Sequence, residues 1–287
     1  MVKALSGFYY VKVPNEPVFE CRARGKFKKN NIKPVVGDLV EIQAIGNGQG
    51  VIEIILPRKN CLVRPSVANI DQLMVVFAAT SPEPDFLLMD RLTVLAEKNK
   101  LFVTICITKT DLDDRNNFNK VVGRYSNTDY NIIGLSNKLN RGIEDIKDVL
   151  AGKLSTLSGP SGVGKSTLIN TINPNFKLNV GDVSIKTKRG KHTTTHCELL
   201  EVIEDGFVVD TPGFTSLELE GISEYELAKY FPDFNKFNNC QFVSCAHENE
   251  ELCGVKDAVK SGELSKERYK NYLLLLQEVR ENGGKYR

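Results

Sequence analysis

The run GPSGVGKS at residues 159–166 has the spacing G-x-x-x-x-G-K-S, a set of residue types suited to holding phosphate. Gly159, Gly162 and Gly164 let backbone N–H groups curl around an anion, with Pro160, Ser161 and Val163 between them. Lys165 would neutralise β/γ-phosphate charge, Ser166 would offer a hydroxyl to Mg²⁺, and Thr167 continues the same helix start, whose positive dipole end favours an anion. About 45 residues later the apolar run FVVD opens D-T-P-G, where Asp210 is placed to reach Mg²⁺ and Gly213 to present its N–H to a γ-phosphate. Near the other end of the chain, Cys240, Cys245, His247 and Cys253 give C-x₄-C-x-H-x₅-C. Three thiolates and one imidazole complete a tetrahedron around Zn²⁺ and leave no position for water, so this reads as a structural site. Removing the metal is then expected to melt residues after about 217 while the nucleotide-binding part stays folded. The pair His192 and His196 in HTTTH is not such a site, because three threonines disfavour helix and no Glu accompanies them.

These groups need elements to hold them, and the 287 residues divide into three compositional regimes. Residues 1–66 carry short β-rich runs separated by turn residues, which predicts a small barrel, OB-like or SH3-like. That segment holds eleven Lys/Arg against five Asp/Glu although the whole chain is only +2, pointing to a polyanion partner at this end. Residues 67–216 alternate strand and helix patterns: strands at 73–78, 101–108, 130–135 and 154–158, helices at 86–97, 118–125 and 143–150. Such alternation predicts a mostly parallel α/β sheet with ligands beyond the carboxyl ends of its strands. Residues 217–287 read as mainly helical, with a Ser223-x-x-Glu226 capping box opening a helix over 224–230 and a last helix over 265–281. No apolar stretch approaches the ~20 residues of a membrane span, and no signal peptide is legible at the start. A soluble cytoplasmic chain is expected, its seven cysteines thiols or metal ligands, with Cys106 and Cys197 as packed thiols.

Two further motifs decide the base. ITKTD ends at Asp111 after a predicted strand, and Ser136, Asn137 and Lys138 follow the next one. These resemble the guanine-reading NKxD and SAK motifs of GTPases, with Thr108 in place of Asn, Asn137 in place of Ala, and Lys109 and Asp111 retained. A carboxylate at Asp111 accepts from both N1–H and N2–H₂ of guanine, a pattern adenine does not present. The order is inverted relative to ordinary GTPases: base motifs first, then the phosphate loop, then D-T-P-G.

That order, with a basic β-domain before it, GKHTT at 190–194 within it and a Cys/His cluster after it, resembles the circularly permuted ribosome-small-subunit-dependent GTPase A family over essentially the whole chain. The resemblance implies a multidomain fold: an OB-like barrel at 1–66, a circularly permuted P-loop GTPase domain at 67–216 and a zinc-binding helical domain at 217–287. It implies hydrolysis of GTP to GDP, slow alone and stimulated by the small ribosomal subunit, coupled to late maturation of that subunit. Binding to its rRNA, no membrane partner and a monomeric state go with it. Within that reading Lys165 and the loop amides take the phosphates, and Ser166 and Asp210 hold Mg²⁺. Thr194 (Thr193 second) closes on metal and γ-phosphate. Phe214 stands where a water-orienting Gln would be, so His192 is the candidate for that role. The competing readings are an RNA-clamping adaptor with negligible intrinsic turnover and another translation-linked or transport GTPase.

Overall fold

The computed structural model describes residues 1–62, 66–176, 178, 197–209 and 218–283. From the N-terminus the chain builds β1 (Lys3–Leu5), β2 (Phe8–Val11), β3 (Phe19–Ala23), α1 (Gly25–Lys29), β4 (Val40–Gly46), β5 (Gln49–Ile55), β6 (Cys61–Leu62) and β7 (Val67–Ala68). Strands and helices then alternate through β8 (Gln72–Ala78), α2 (Phe86–Lys98), β9 (Phe102–Thr108), α3 (Asn117–Arg124), β10 (Asn131–Gly134), α4 (Ile143–Leu150), β11 (Leu154–Ser158) and α5 (Lys165–Ile172). A hairpin of β12 (Leu199–Ile203) and β13 (Gly206–Val209) follows, and α6 (Gly254–Ser261) and α7 (Lys266–Gly283) end the described chain. The chain falls into two compact units: Met1–Gln72 with Glu144–Ser158 and Lys165–Thr215, and Leu73–Ile143 with Gly159–Gly164 and Ser216–Arg287.

In the first unit the N-terminal β-domain is a five-stranded sheet in the order β1-β2-β3-β5-β4. Its alternation turns Val11, Cys21 and Ile52 inward, where they pack with Met1 and Phe27, while Glu20 and Arg22 fall on the opposite face of β3. β1 and α1 were not legible as elements in the sequence, because three to five residues carry too little periodicity. Elsewhere in this unit β11 pairs parallel with β13, and β12 pairs antiparallel with β13. Every residue of β11 is buried, as expected of a strand covered on both faces.

In the second unit β8 lies beside β9, and β10 pairs parallel with β9. All seven residues of β8 are buried, Gln72 among them. Helix α2 starts where the Asp85 carboxylate accepts the Leu88 N–H at 3.0 Å, an N-cap that satisfies one free donor of the first turn. The C-terminal part is less helical than its sequence suggests. Glu226 does accept from the Ser223 N–H (3.2 Å), but the Ser223 hydroxyl also donates to Glu226 (2.7 Å) instead of capping the backbone. Only a short 3₁₀ turn forms there, over Leu227–Tyr230. The last helix is found at Lys266–Gly283. Among the described residues no helix is long and apolar enough to cross a membrane.

Candidate nucleotide site and metal centre

The loop 159–164 belongs to the second unit, and its glycines have separate reasons to be glycine. A Cβ on Gly159 would lie 1.9 Å from the Val76 carbonyl oxygen, so nothing larger fits against β8. Gly162 (φ +78°) and Gly164 (φ +98°) adopt left-handed backbone that side chains resist. Val163, between them, is fully buried and anchors the loop. Chain continuity then leads to Lys165 and Ser166, the first two residues of α5, both buried. Burial pulls the Lys165 ammonium below its ordinary pKa.

The residues expected from the sequence to read the base lie in the same unit as this loop. The buried Thr108 hydroxyl, at the end of β9, donates to the Val163 carbonyl and lies 3.3 Å from that of Phe77. Lys109, in left-handed backbone (φ +58°), extends its ammonium to the carbonyls of Gly162 (3.1 Å) and Ser81. A 3₁₀ turn over Thr110–Leu112 carries Asp111. Thr110 fixes that turn to the exit of β10, its N–H and hydroxyl both donating to the Leu135 carbonyl at 3.0 Å. The Ser136 hydroxyl holds the Asp111 carboxyl below the usual carboxylate range, helped by the charges of Lys138 and Arg141. Ser136 is itself buried and held by reciprocal backbone bonds with Arg141, 3.1 and 3.0 Å. Asn137 contributes a buried carboxamide oxygen without a hydrogen-bond partner among the described residues.

Where the resembled motif has Asn, the Thr108 hydroxyl ties the end of β9 to the 159–164 loop. Thr108→Val leaves the Val163 carbonyl without this donor, a loss of about 1–3 kcal/mol. It is expected to weaken GDP binding roughly tenfold, read by titration calorimetry. The sequence candidates Asp210, Gly213, His192, Thr193, Thr194 and Phe214 lie outside the described residues.

The four metal-ligand candidates converge. Their ligand atoms all lie within 4.8 Å of one another, and Cys245, His247 and Cys253 are buried. The His247 Nδ1 is 3.5 Å from Cys240 Sγ and 3.3 Å from Cys253 Sγ, and those two sulfurs are 3.9 Å apart. A tetrahedral ion with zinc–sulfur and zinc–nitrogen bonds of usual length would separate sulfurs by about 3.8 Å and sulfur from nitrogen by about 3.6 Å. The donor set therefore fits a soft divalent ion in both chemistry and spacing. Burial pushes the Cys245 thiol up to about 12, a penalty that coordination to a cation reverses. Supporting bonds aim the ligand loop: Tyr269 and Tyr272 hydroxyls donate to the carbonyls of His247 and Ala246, both at 2.6 Å. Glu250 accepts the Ala246 N–H (2.6 Å) and the Glu248 N–H (2.8 Å).

Comparisons with known proteins show the family of this chain. The RsgA GTPase family description matches residues 55–220, and the RsgA N-terminal domain description matches residues 1–52. The chain belongs to the RsgA GTPase family. Among its relatives, the small ribosomal subunit biogenesis GTPase RsgA of Alkaliphilus metalliredigens is 46% identical over 98% of this chain and 97% of that protein. The RsgA of Caldanaerobacter subterraneus subsp. tengcongensis is also 46% identical, over 98% of this chain and 95% of its own. The crystal structure of YjeQ from Thermotoga maritima superposes with a TM-score of 0.86 at 41% identity, covering 97% of this chain and 96% of that one. YloQ, described as a circularly permuted GTPase, gives 0.82 at 36% identity, covering 98% and 94%. The RsgA organisation of N-terminal domain, central GTPase domain and C-terminal part with a cysteine-rich metal cluster is the fold class expected from the sequence.

One feature of this RsgA chain had no sequence signal. Arg268, on α7, is fully buried and bonds Asp233 through Nε (2.7 Å) and Nη2 (2.9 Å) and Asp90 of α2 through Nη1 (2.6 Å). Its guanidinium is sandwiched between the Tyr125 and Phe231 rings, each 4.7 Å from the ring centroid. Asp90 also accepts from Tyr125 (2.7 Å), Asn271 (2.7 Å) and Arg124. Burial works against the Arg268 charge, but Asp233 and Asp90 outweigh it and raise its pKa further. Within the second unit, the C-terminal metal-bearing part is thereby pinned to a helix of the GTPase fold.

Proposed function

We propose that this chain hydrolyses GTP on the small ribosomal subunit and couples turnover to a late step of that subunit's maturation. The observation that carries the nucleotide reading is the pair of bonds from Thr108 and Lys109 to the carbonyls of Val163 and Gly162. They bring the guanine motif against the phosphate loop despite the inverted order of the motifs. The relatives' names supply the ribosomal half of the proposal. In this reading Asp111, oriented by Ser136, accepts N1–H and N2–H₂ of guanine, with Thr108, Lys109, Asn137 and Lys138 around it. The backbone N–H groups of 161–164 and the Lys165 ammonium stabilise charge developing on the phosphates. Ser166, Thr194 and Asp210 would hold Mg²⁺, which when bound supplies further neutralisation of the β/γ oxygens. Thr167 and Gly213 complete the phosphate contacts, and His192 orients the attacking water.

Zn²⁺ at Cys240, Cys245, His247 and Cys253 is the proposed structural ion, and one equivalent of zinc per chain is the expected result of metal analysis. The proposed domain limits are 1–66, 67–216 and 217–287, in a cytoplasmic monomer. For rRNA contact the basic side chains outside ion pairs are the candidates. Lys3, Lys12, Arg24, Arg58 and Lys59 are engaged in ion pairs, whereas Arg22, Lys26, Lys29 and Lys33 form none among the described residues.

The test is hydrolysis of GTP and ATP with and without each purified ribosomal subunit. Turnover specific to GTP and raised by small but not large subunits is expected. Salt-sensitive RNA binding without turnover would instead identify an RNA-clamping adaptor. Asp111→Asn replaces an acceptor facing guanine N1–H and N2–H₂ with a donor, and is expected to reduce GTP affinity by at least about 100-fold.

A further inference from the structure

The N-terminal β-domain carries a cavity of about 440 Å³, bordered by β2, the end of β3, α1 and the loop after α1. It lies wholly within the first unit. A hollow of this size falls in the range of small-ligand pockets, about 300–1,000 Å³. Its apolar lining includes Tyr9, Phe27, Ile32 and Pro34. Tyr9 shares the inward face of β2 with Val11, two residues on, yet stays only partly buried. Phe27 is a member of the buried core, and Ile32 is 44% exposed although apolar. One aromatic ring is therefore partly open to the cavity, with an exposed aliphatic side chain at its edge.

The loop wall is held from behind. Arg58 donates through Nη2 to the Lys33 carbonyl (2.8 Å) and through Nε and Nη2 to the fully buried Asp38 carboxylate (2.6 and 2.9 Å). Asp38 also accepts the Val35 N–H at 2.8 Å, and the Ile32 N–H donates to the Phe27 carbonyl at 2.9 Å. The cations beside the cavity differ in what they are free to do. Arg24 is engaged by Glu53 at 2.6 Å. Lys33, exposed and part of the lining, forms no ion pair among the described residues. Neither does Lys26, whose ammonium lies 5.5 Å from the centre of the Phe27 ring. A fixed, apolar, partly aromatic hollow is thus accompanied by two cations that lack carboxylate partners.

We propose that this cavity takes one unpaired nucleobase of a single-stranded RNA segment, with the adjoining phosphates at Lys26 and Lys33. The proposal rests on the rRNA reading above and names the form of RNA that is held. Unpaired cations attract any polyanion, and phosphate contacts alone carry no information about the bases. The apolar hollow adds the selection, because it gains from a planar ring set against Tyr9 and Phe27. An unpaired base joined to its phosphates presents both chemistries at once. An A-form duplex keeps its bases stacked inside and offers this surface phosphate only. An acidic peptide brings the charge without the ring.

The experiment uses the full chain and three labelled probes: a single-stranded RNA of about 12 nucleotides, the same strand as a duplex, and an oligoglutamate peptide. Each is titrated by fluorescence anisotropy between about 50 and 200 mM salt. Tyr9→Leu keeps apolar bulk but removes the ring. It is expected to weaken single-strand binding about tenfold, the loss of one stacked base, and to leave duplex binding within about twofold. Ile32→Ser alters only an exposed side chain, so folding is not at risk. It should cost the single strand about threefold and the duplex nothing. Lys33→Ala should weaken both RNA forms and lower the salt slope of each by about one. Circular dichroism checks folding, and if Tyr9→Leu is unfolded, Ile32→Ser decides. Equal losses for both RNA forms, no loss for either, or an unchanged salt slope in Lys33→Ala overturns the proposal. Peptide binding as tight as single-strand binding, with the same dependence on Tyr9, overturns it in favour of an acidic protein segment. A wild-type chain that binds neither RNA nor purified small subunits fails the functional reading itself. One that binds small subunits while these variants hold single strands normally fails the cavity alone.

Discussion

Lys165→Ala is expected to lower kcat/KM for GTP by roughly 100- to 1000-fold, in steady-state phosphate release with and without small subunits. Removing one preorganised donor from a developing oxyanion has an effect of this size. The position makes the upper part of the range reasonable, because Lys165 is only 7% exposed and water cannot replace its ammonium. Burial disfavours its charged form. The anion reverses that penalty, and the lysine is most strongly stabilised where phosphate charge is greatest. Lys165→Met, which keeps the apolar stem, should lose nearly as much, since the charge and not the packing is removed. Circular dichroism should show both variants folded.

Arg268→Ala is the substitution expected to destabilise the protein most. It leaves Asp90 and Asp233 facing each other's neighbourhood without the guanidinium that bonds both. Breaking a buried pair by removing one partner is worth about 3–5 kcal/mol, which for a chain of this size lowers the melting temperature by about 10 °C. Lys260→Ala is the control: its partner Asp257 is 64% exposed and its own side chain 69%, so the change should be close to nothing. The same network revises what metal removal should do. From sequence, only the residues after about 217 were expected to melt. Because Asp90 of α2 draws counter-charge from Arg268, loss of the metal-bearing part is instead expected to lower the stability of the nucleotide-binding part as well. Thermal unfolding in the presence of chelator, with GDP added as a reporter of the nucleotide site, measures this directly.

The alternation of strands and helices over 73–158 was legible because buried strands such as β8 and β9 are continuous apolar runs, and amphipathic helices such as α4 keep a 3.6-residue period. The C-terminal part misled because Ser223 and Glu226 satisfy a capping pattern, yet the Ser223 hydroxyl donates to the Glu226 carboxylate and the turn stays 3₁₀. Thr108 departs from the Asn of the guanine motif in sequence, and the structure gives its hydroxyl a partner 55 residues away.

The amino-acid sequence alone determined the chemistry available to this protein: a glycine-rich loop with Lys165 and Ser166, the Asp111 carboxylate proposed to read guanine and a Cys₃His ligand set. Each of these is written within a few neighbouring residues, so spacing carries the information. Only the tertiary structure decided that Thr108 meets Val163, that Lys12 meets Glu201 and that Arg268 meets Asp90 across 178 positions of chain. A lysine or arginine in a helix or strand has the same sequence pattern whether water or a carboxylate surrounds it. Which one it meets is settled by the path of the backbone and by the cost of burying a charge unpaired.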